Sequence, residues 1–341
     1  MNTFAVKRIN LFIFDNIYRF PSNLRADAKV RRQNPLKDIM QKNLTHSLRF
    51  LFNYSAAVSA TAVLGILVAA PCRADDDSQN SCLAPVANYF INWFPRVTQI
   101  QSGQPHWVTP LVTVTPRLEE EFRFDQSWTS LPTHNHASVD NYGSNKGLEF
   151  IPFDPVEIIV GVPGYEEQNR PDKYGWADET FLAKYRILSG NEENGDYVLT
   201  AFFGLSVPSG SDTFTSHHFA YTPTIAFGKG WGNFDLQTTL GMTFPDNGFV
   251  HTGGGAPIAF NTSFQYRVAK MFWPELEFNY INWPSGENEG KNQLLLTPGI
   301  MIGRIPISGR VGITFGLGCQ FPVTKQVTVH RNIILSGRIP F

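Results

Sequence analysis

The chain has 341 residues, with 28 Lys and Arg against 29 Asp and Glu, for a net charge of −1. A basic surplus is missing, which excludes nucleic acid as a natural partner. With 42% hydrophobic and only 17% charged residues, including 28 Phe and 28 Gly, the composition suits a protein that meets two solvents better than a large cytosolic enzyme.

Residues 1–39 are a mixed basic and apolar stretch without clean periodicity, and Met40 offers a second start. The expectation is that 1–39 is an upstream extension from start-site assignment and that translation begins at Met40. Residues 56–70 form an uncharged run of small and aliphatic residues, preceded by Lys42 and Arg49, with the dimensions of a secretory h-region. Cys72 and Ala74 then stand at the minus-three and minus-one positions before Asp75-Asp76-Asp77, predicting a signal peptide over 40–74, cleavage after Ala74 and Sec-type export. A membrane anchor is the competing reading, but about 15 apolar residues fall short of the ~20 that span a bilayer. A lipoprotein reading of Cys72 is opposed by Pro71. After processing, Cys82 and Cys319 remain, without CxxC or zinc spacing. A bridge between them is chemically allowed after export, yet strand parity puts Cys319 on an apolar face.

The N-terminal segment 75–104 holds apolar residues at roughly helical spacing over 83–94, among them Tyr89, Phe90 and Trp93. A short amphipathic helix there has two readings: an anchor at the membrane interface, or a plug at a barrel mouth.

From about residue 105 to 341 the chain repeats strand, turn, strand, with polar or Gly/Pro-rich breaks. Phe234, Leu236, Leu240, Met242 and Phe244 alternate with Asp235, Gln237 and Thr239, and the pattern recurs over 258–268 and 311–321. These runs exceed the usual 5–6 residues of a soluble strand. Phe234 and Phe244 are ten residues apart on one face, roughly 25 Å along the normal at ~3.3 Å per residue and ~40° tilt, the height of a lipid-facing band between aromatic girdles. The last strand alternates to the final residue, with Leu335, Ile339 and Phe341 on the apolar parity as a barrel-assembly signal. The predicted fold is therefore an all-β transmembrane antiparallel barrel in the bacterial outer membrane.

Eleven strand segments can be read, near 117–128, 147–163, 176–188, 197–208, 218–228, 232–244, 257–268, 274–284, 291–304, 309–322 and 330–341. Bacterial single-chain barrels have even strand numbers, and Val108, Val112 and Val114 nominate 107–115 as the twelfth. External loops are then expected at 164–175, 209–217, 245–256, 285–290 and 323–329, and periplasmic turns at 228–232 and 305–308. Two features resist this. Pro223 and Pro298 fall inside strands, where bulges or breaks at the rim are expected, and the long stretch 129–146 lands on the periplasmic side, where turns should be short.

On the parity opposite the apolar face lie Glu119, Glu121, Arg123, Asp125, Lys184, Arg186, Asp235, Gln237, Gln265, Arg267, Glu275, Glu277, Arg304 and Arg338, the lumen-lining candidates. Opposed charges either set a transverse field in a water-filled pore or form a salt-bridged filling of a narrow barrel. No catalytic signature is present: GxSxG, HExxH, the P-loop and dinucleotide fingerprints are all missing. His134-Asn135-His136 and His217-His218 lack a nearby Cys or carboxylate to complete a metal site. Gly253-Gly254-Gly255 precedes no helix start and reads as an external loop. No enzyme activity, metal or cofactor is expected.

The blocks FLAKYRIL (181–188), TAFFGLSVPSG (200–210), AFGKGWGNFDLQTTL (226–240), Phe264-Gln265-Tyr266-Arg267, Phe272-Trp273-Pro274-Glu275-Leu276-Glu277, LTPGIMIG (296–303) and the terminal 336–341 resemble the proteobacterial outer-membrane proteins grouped under the meta-cleavage pathway of phenol degradation. The resemblance covers most of residues 105–341. It implies an outer-membrane transporter passing aromatic or other hydrophobic compounds, and carries no residue-level site. The expected function is a passive channel for small, aromatic or hydrophobic solutes, with a closed structural or surface-binding barrel as the alternative. The partners expected are outer-membrane lipid, the barrel assembly machinery and a small-molecule solute.

Overall fold

The computed structural model describes residues 83–132, 137–246, 255–325 and 328–341. The expected upstream extension and signal peptide, Cys82, His134-Asn135-His136 and Gly253-Gly254 lie outside the described residues. Two helices come first, α1 (Leu83–Ile91) and α2 (Trp93–Ser102), so the expected helix over 83–94 is broken at Asn92 and carried on to Ser102. An irregular coil with bends at 111–113 and 116–117 runs from Gly103 to Glu120. The strands follow: β1 (Glu121–Ser130), β2 (Ser138–Phe153), β3 (Val156–Asn169), β4 (Asp172–Trp176), β5 (Glu179–Gly190), β6 (Tyr197–Val207), β7 (Ala220–Trp231), β8 (Phe234–Met242), β9 (Phe244–Pro245), β10 (Ile258–Tyr266), β11 (Phe272–Asn282), β12 (Asn292–Ser308), β13 (Val311–Pro322) and β14 (Arg331–Pro340).

Every pairing is antiparallel, and β14 bonds to both β13 and β1, closing a barrel of 12 strands. Closure removes the edges that lipid would leave without hydrogen-bond partners. The remaining two strands are accessory: β4 folds back on the end of β3, and β9 pairs with β7.

The strand number agrees with the expectation, but by a different route. Residues 107–115 are not a strand, and the twelfth comes from 147–163, which is a hairpin of β2 and β3 around Asp154-Pro155. A two-residue turn between Phe150–Phe153 and the apolar run from Ile158 leaves little polar interruption to mark it. The correction also moves 129–146 to the outer end: Thr129 and Ser130 finish β1, and 138–146 are the outer half of β2. The turns Asp154-Pro155, Gly232-Asn233 and Gly309-Arg310 are short, whereas 208–219, 243–257, 283–291 and 323–330 are long. The short end is the periplasmic one, and it carries both Glu121 and Phe341. The periplasmic turns expected at 228–232 and 305–308 fall at Gly232-Asn233 and Gly309-Arg310, because β7 and β12 run further than their apolar patterns.

Both prolines interrupt a ladder. The β7–β8 pairing stops at Thr224↔Gly241 and resumes in β9 at Tyr221↔Phe244, skipping Pro223. Thr222 and Thr243 bridge the gap through their hydroxyls at 3.1 Å. The β12–β13 pairing likewise omits Thr297 and Pro298 between Leu296↔Phe321 and Gly299↔Gly318. That second break lies in mid-strand rather than at the rim.

The alternation resolves into two solvents. Asp235, Gln237 and Thr239 on β8 and Ser336 and Arg338 on β14 point inward and are buried, while Leu240, Ile225, Leu317, Leu335 and Ile339 are exposed outward. Aromatics mark the ends of this outer band. Trp231, Phe234 and Phe264 form ring contacts near the periplasmic ends of their strands, at 5.9 and 6.2 Å, and Phe203 meets Tyr221 at 6.2 Å near the outer ends. A greasy exterior, aromatic girdles and a polar interior define an outer-membrane barrel. Cys319, a free cysteine, sits on the lipid-facing parity between Leu317 and Phe321.

Candidate functional site: the barrel lumen

The lumen is occupied by residues 103–117. This stretch makes no strand pairing, so its main-chain groups need other partners, and the barrel wall supplies them. Wall carboxylates accept its amides: Leu111 N–H donates to Glu275 at 3.2 Å, Val112 and Thr113 N–H to the two oxygens of Glu277 at 2.7 and 2.6 Å, and Glu119 N–H to Glu157 at 2.5 Å. Wall cations take its carbonyls. Arg338 donates to Thr109 O and Pro110 O at 2.6 and 2.7 Å, Arg123 to Pro110 O and Leu111 O, Lys184 to Arg117 O at 3.2 Å, and Lys146 to Val112 O at 3.1 Å. Neutral groups complete the set, with Thr200 on Pro116 O at 2.5 Å and Gln237 on Val108 O at 3.0 Å.

The wall is also shaped for the side chains it encloses. A Cβ at Gly228 on β7 would run into the Trp107 indole and one at Gly318 on β13 into Leu111, while at Gly230 and Gly316 it would meet Asp196 and Met301 first, with Trp107 and Leu111 just behind. All four glycines face inward. Trp107 and Leu111 are 5% and 1% exposed and pack with Val198, Trp273, Met301 and Ile334 in an apolar cluster inside the barrel.

The sequence-nominated residues divide by height. Glu121, Arg123, Lys184, Asp235, Gln237, Gln265, Glu275, Glu277 and Arg338 are buried in the lumen. Asp235, Gln237, Gln265 and Glu275 form a hydrogen-bonded chain across β8, β10 and β11, at 3.0, 3.1 and 2.7 Å. Lys184 and Glu157 pair at 2.8 Å with both side chains wholly buried, and Arg123 pairs with Asp125 at 2.7 Å. Glu119, just ahead of β1, pairs with Arg117 at 2.9 Å. Arg186, Arg267 and Arg304 belong to the periplasmic mouth, and Arg304 is exposed. Leu335 and Ile339 face outward, while Phe341 donates its N–H to Glu120 O at 3.1 Å beside the first strand.

Four participants escape a reading of the sequence: Glu157, Lys146, Thr200 and the coil itself. Glu157 was hidden by the fused strand 147–163. Lys146 was hidden by the misplacement of 129–146.

At the periplasmic mouth α2 closes over this coil. Val97 and Ile100 bury against Leu118 and Ile151. Trp93 donates to Glu120 at 2.6 Å, Arg310 to Thr98 Oγ1 at 2.6 Å, and Arg186 to Ile100 O at 2.8 Å. Burial pushes the Glu120 carboxyl above its ordinary range despite the Trp93 bond. Glu192, in the β5–β6 turn, is held below it because the His106 hydrogen bonds outweigh its partial burial. On α1, Tyr89 donates to Pro152 O at 2.5 Å, while Phe90 and Ile91 are exposed. His217 and His218 lie in an exposed loop, with His218 Nδ1 3.5 Å from Asp246. No group of metal-ligating side chains occurs among the described residues.

No family model matches the chain, and no curated protein does. Among solved structures, it is similar to an outer-membrane channel from Pseudomonas putida F1, at 12% identity and a TM-score of 0.45 over 65% of this chain and 94% of that one. It is similar also to the KdgM porin (9%, 0.39, 65% and 99%) and to an anion-selective porin from Comamonas acidovorans (9%, 0.30, 65% and 100%).

Proposed function

We propose that this barrel is a gated, passive outer-membrane channel for small aromatic or hydrophobic compounds, closed at rest by residues 103–117. One observation carries the reading: the lumen is filled by a single coil fastened to the wall through side-chain hydrogen bonds to its main chain. Each such bond to a charged group is worth about 1.5–3 kcal/mol, and water can replace it when the coil moves. A barrel filled by its own wall side chains would have no part to remove. Wall charges therefore serve both as the latch and, once released, as the lining that sets what passes. The resemblance of the blocks from 181 to 341 to proteins of phenol degradation supports the solute class. Export by the Sec route, and insertion by the barrel assembly machinery reading Leu335, Ile339 and Phe341, complete the account.

The test is uptake of phenol, with glucose as the polar comparison, into liposomes bearing the refolded chain 75–341. Phenol entry above protein-free liposomes, with glucose excluded, is the result expected. Equal entry of both, or neither, would reject the solute class, and a folded barrel that passes nothing in any form would favour the closed structural reading.

A further inference from the structure

At the periplasmic mouth, between the coil and the wall of β10 to β14, lies a cavity of about 220 Å³ whose inner end is closed by the latch cation Arg338. Arg267, Lys270 and Arg304 line it; none of the three makes a close ion pair among the described residues, although Arg267 also faces the carboxylates of Asp196 and Asp235. Arg267 is steered by Asn233 Oδ1 at 3.3 Å, and its guanidinium lies 5.6 Å from the Trp273 ring. Arg304 donates to Arg310 O. Lys270 is fixed at φ 67 in the β10–β11 turn with its side chain exposed. Deeper in, Arg117 and Arg338 add two cations, against Glu119, which Arg117 already neutralises, and Glu121. The indoles of Trp107 and Trp273 supply apolar walls.

We infer that this cavity is a binding site for a small planar organic anion, an aromatic carboxylate in chemical class. Cations outnumber carboxylates in this lining, with Lys270 and Arg304 at the entrance free of close acidic partners, and the excess favours negative charge. Indole walls favour a flat apolar body over a hydrated ion, and the volume, below the ~300–1,000 Å³ of drug-sized pockets, limits the ligand to one ring. The idea rests on the channel reading only for its purpose, a holding site at the exit of the path, since binding itself requires no passage.

The experiment is calorimetry on the full-length protein in detergent with benzoate, with phenol as its uncharged counterpart and inorganic phosphate as a compact anion. Benzoate is expected to bind one to one and at least tenfold tighter than either. The double variant Arg267→Gln, Lys270→Gln should weaken it at least tenfold, while Lys173→Gln at the opposite end should not change it. Phosphate matching benzoate, phenol matching benzoate, an unchanged double variant, or no saturable response by heat and by indole fluorescence would each overturn the site. Saturable benzoate binding by a barrel silent in planar bilayers would keep the site and remove the channel.

Discussion

Glu277 is one of the fastenings that hold the coil through two main-chain groups, and its neutralisation should open the barrel. The wholly buried carboxylate accepts from two consecutive amides, Val112 and Thr113, at 2.7 and 2.6 Å. Glu277→Gln keeps one acceptor and turns an NH₂ toward the second amide. The loss is that of one charge-assisted bond, about 1.5–3 kcal/mol. At 1.4 kcal/mol per tenfold, that shifts the closed-to-open ratio toward open by roughly 10- to 100-fold. Single-channel recording reads this directly as open probability. Gln320→Ala is the control, because Gln320 bonds Asn279 at 3.1 Å inside the lumen and does not touch the coil. A Glu277→Gln barrel that stays heat-modifiable on gels, yet opens no more often than wild type, would refute the latch.

Breaking the Lys184–Glu157 pair with Lys184→Ala should cost about 3–5 kcal/mol, because a buried carboxylate is left without its cation; Lys184→Met with Glu157→Leu should recover only part of the loss, since Glu119 N–H and Arg117 O then lose their partners, read as the temperature at which the folded band on gels disappears. Gly318→Val should push Leu111 off β13 and raise open probability, whereas Gly337→Ala, whose Cβ would meet nothing closer than 3.8 Å, should leave gating unchanged. Asp178 ties the β4–β5 corner to the outer loop by accepting from Gly210 N–H, Ser216 N–H and Ser216 Oγ at 3.0, 2.8 and 2.6 Å. Its partial burial works to raise its pKa, but these bonds outweigh it and the carboxyl is held below its ordinary range. The tie is therefore complete above the ordinary carboxylate pKa and is lost as pH falls through the depressed folded value. Proteolysis of loop 208–219 should accelerate only in that acid window, and Asp178→Ala should show the acid behaviour at neutral pH.

The wall of this barrel is legible in the sequence because lipid and lumen impose opposite chemistries on alternate residues, so Asp235, Gln237 and Thr239 cannot be mistaken for Phe234, Leu236 and Leu240. Two things were not legible. The β2–β3 hairpin turns on Asp154-Pro155 with apolar residues close on both sides, so it reads as one long strand. The coil from 103 to 117 carries Val108, Val112 and Val114 at strand spacing, yet its backbone bends at 111–113 and 116–117 and joins no ladder. What separates it from a strand is the identity of its hydrogen-bond partners, Glu275, Glu277, Arg338 and Lys184, which lie 67 to 229 positions away. Sequence periodicity reports the local conformation and the solvent, and partners at such distances leave no trace in it.

The central claim is tested most directly by single-channel conductance of the refolded chain 75–341 before and after deletion of 75–116. Deleting only to Gln104 would leave the coil itself in place. A closed or flickering intact barrel that becomes a steady conductor after the longer deletion is the predicted result. Equal conductance in both forms, or silence in both from barrels shown to be folded, would contradict it.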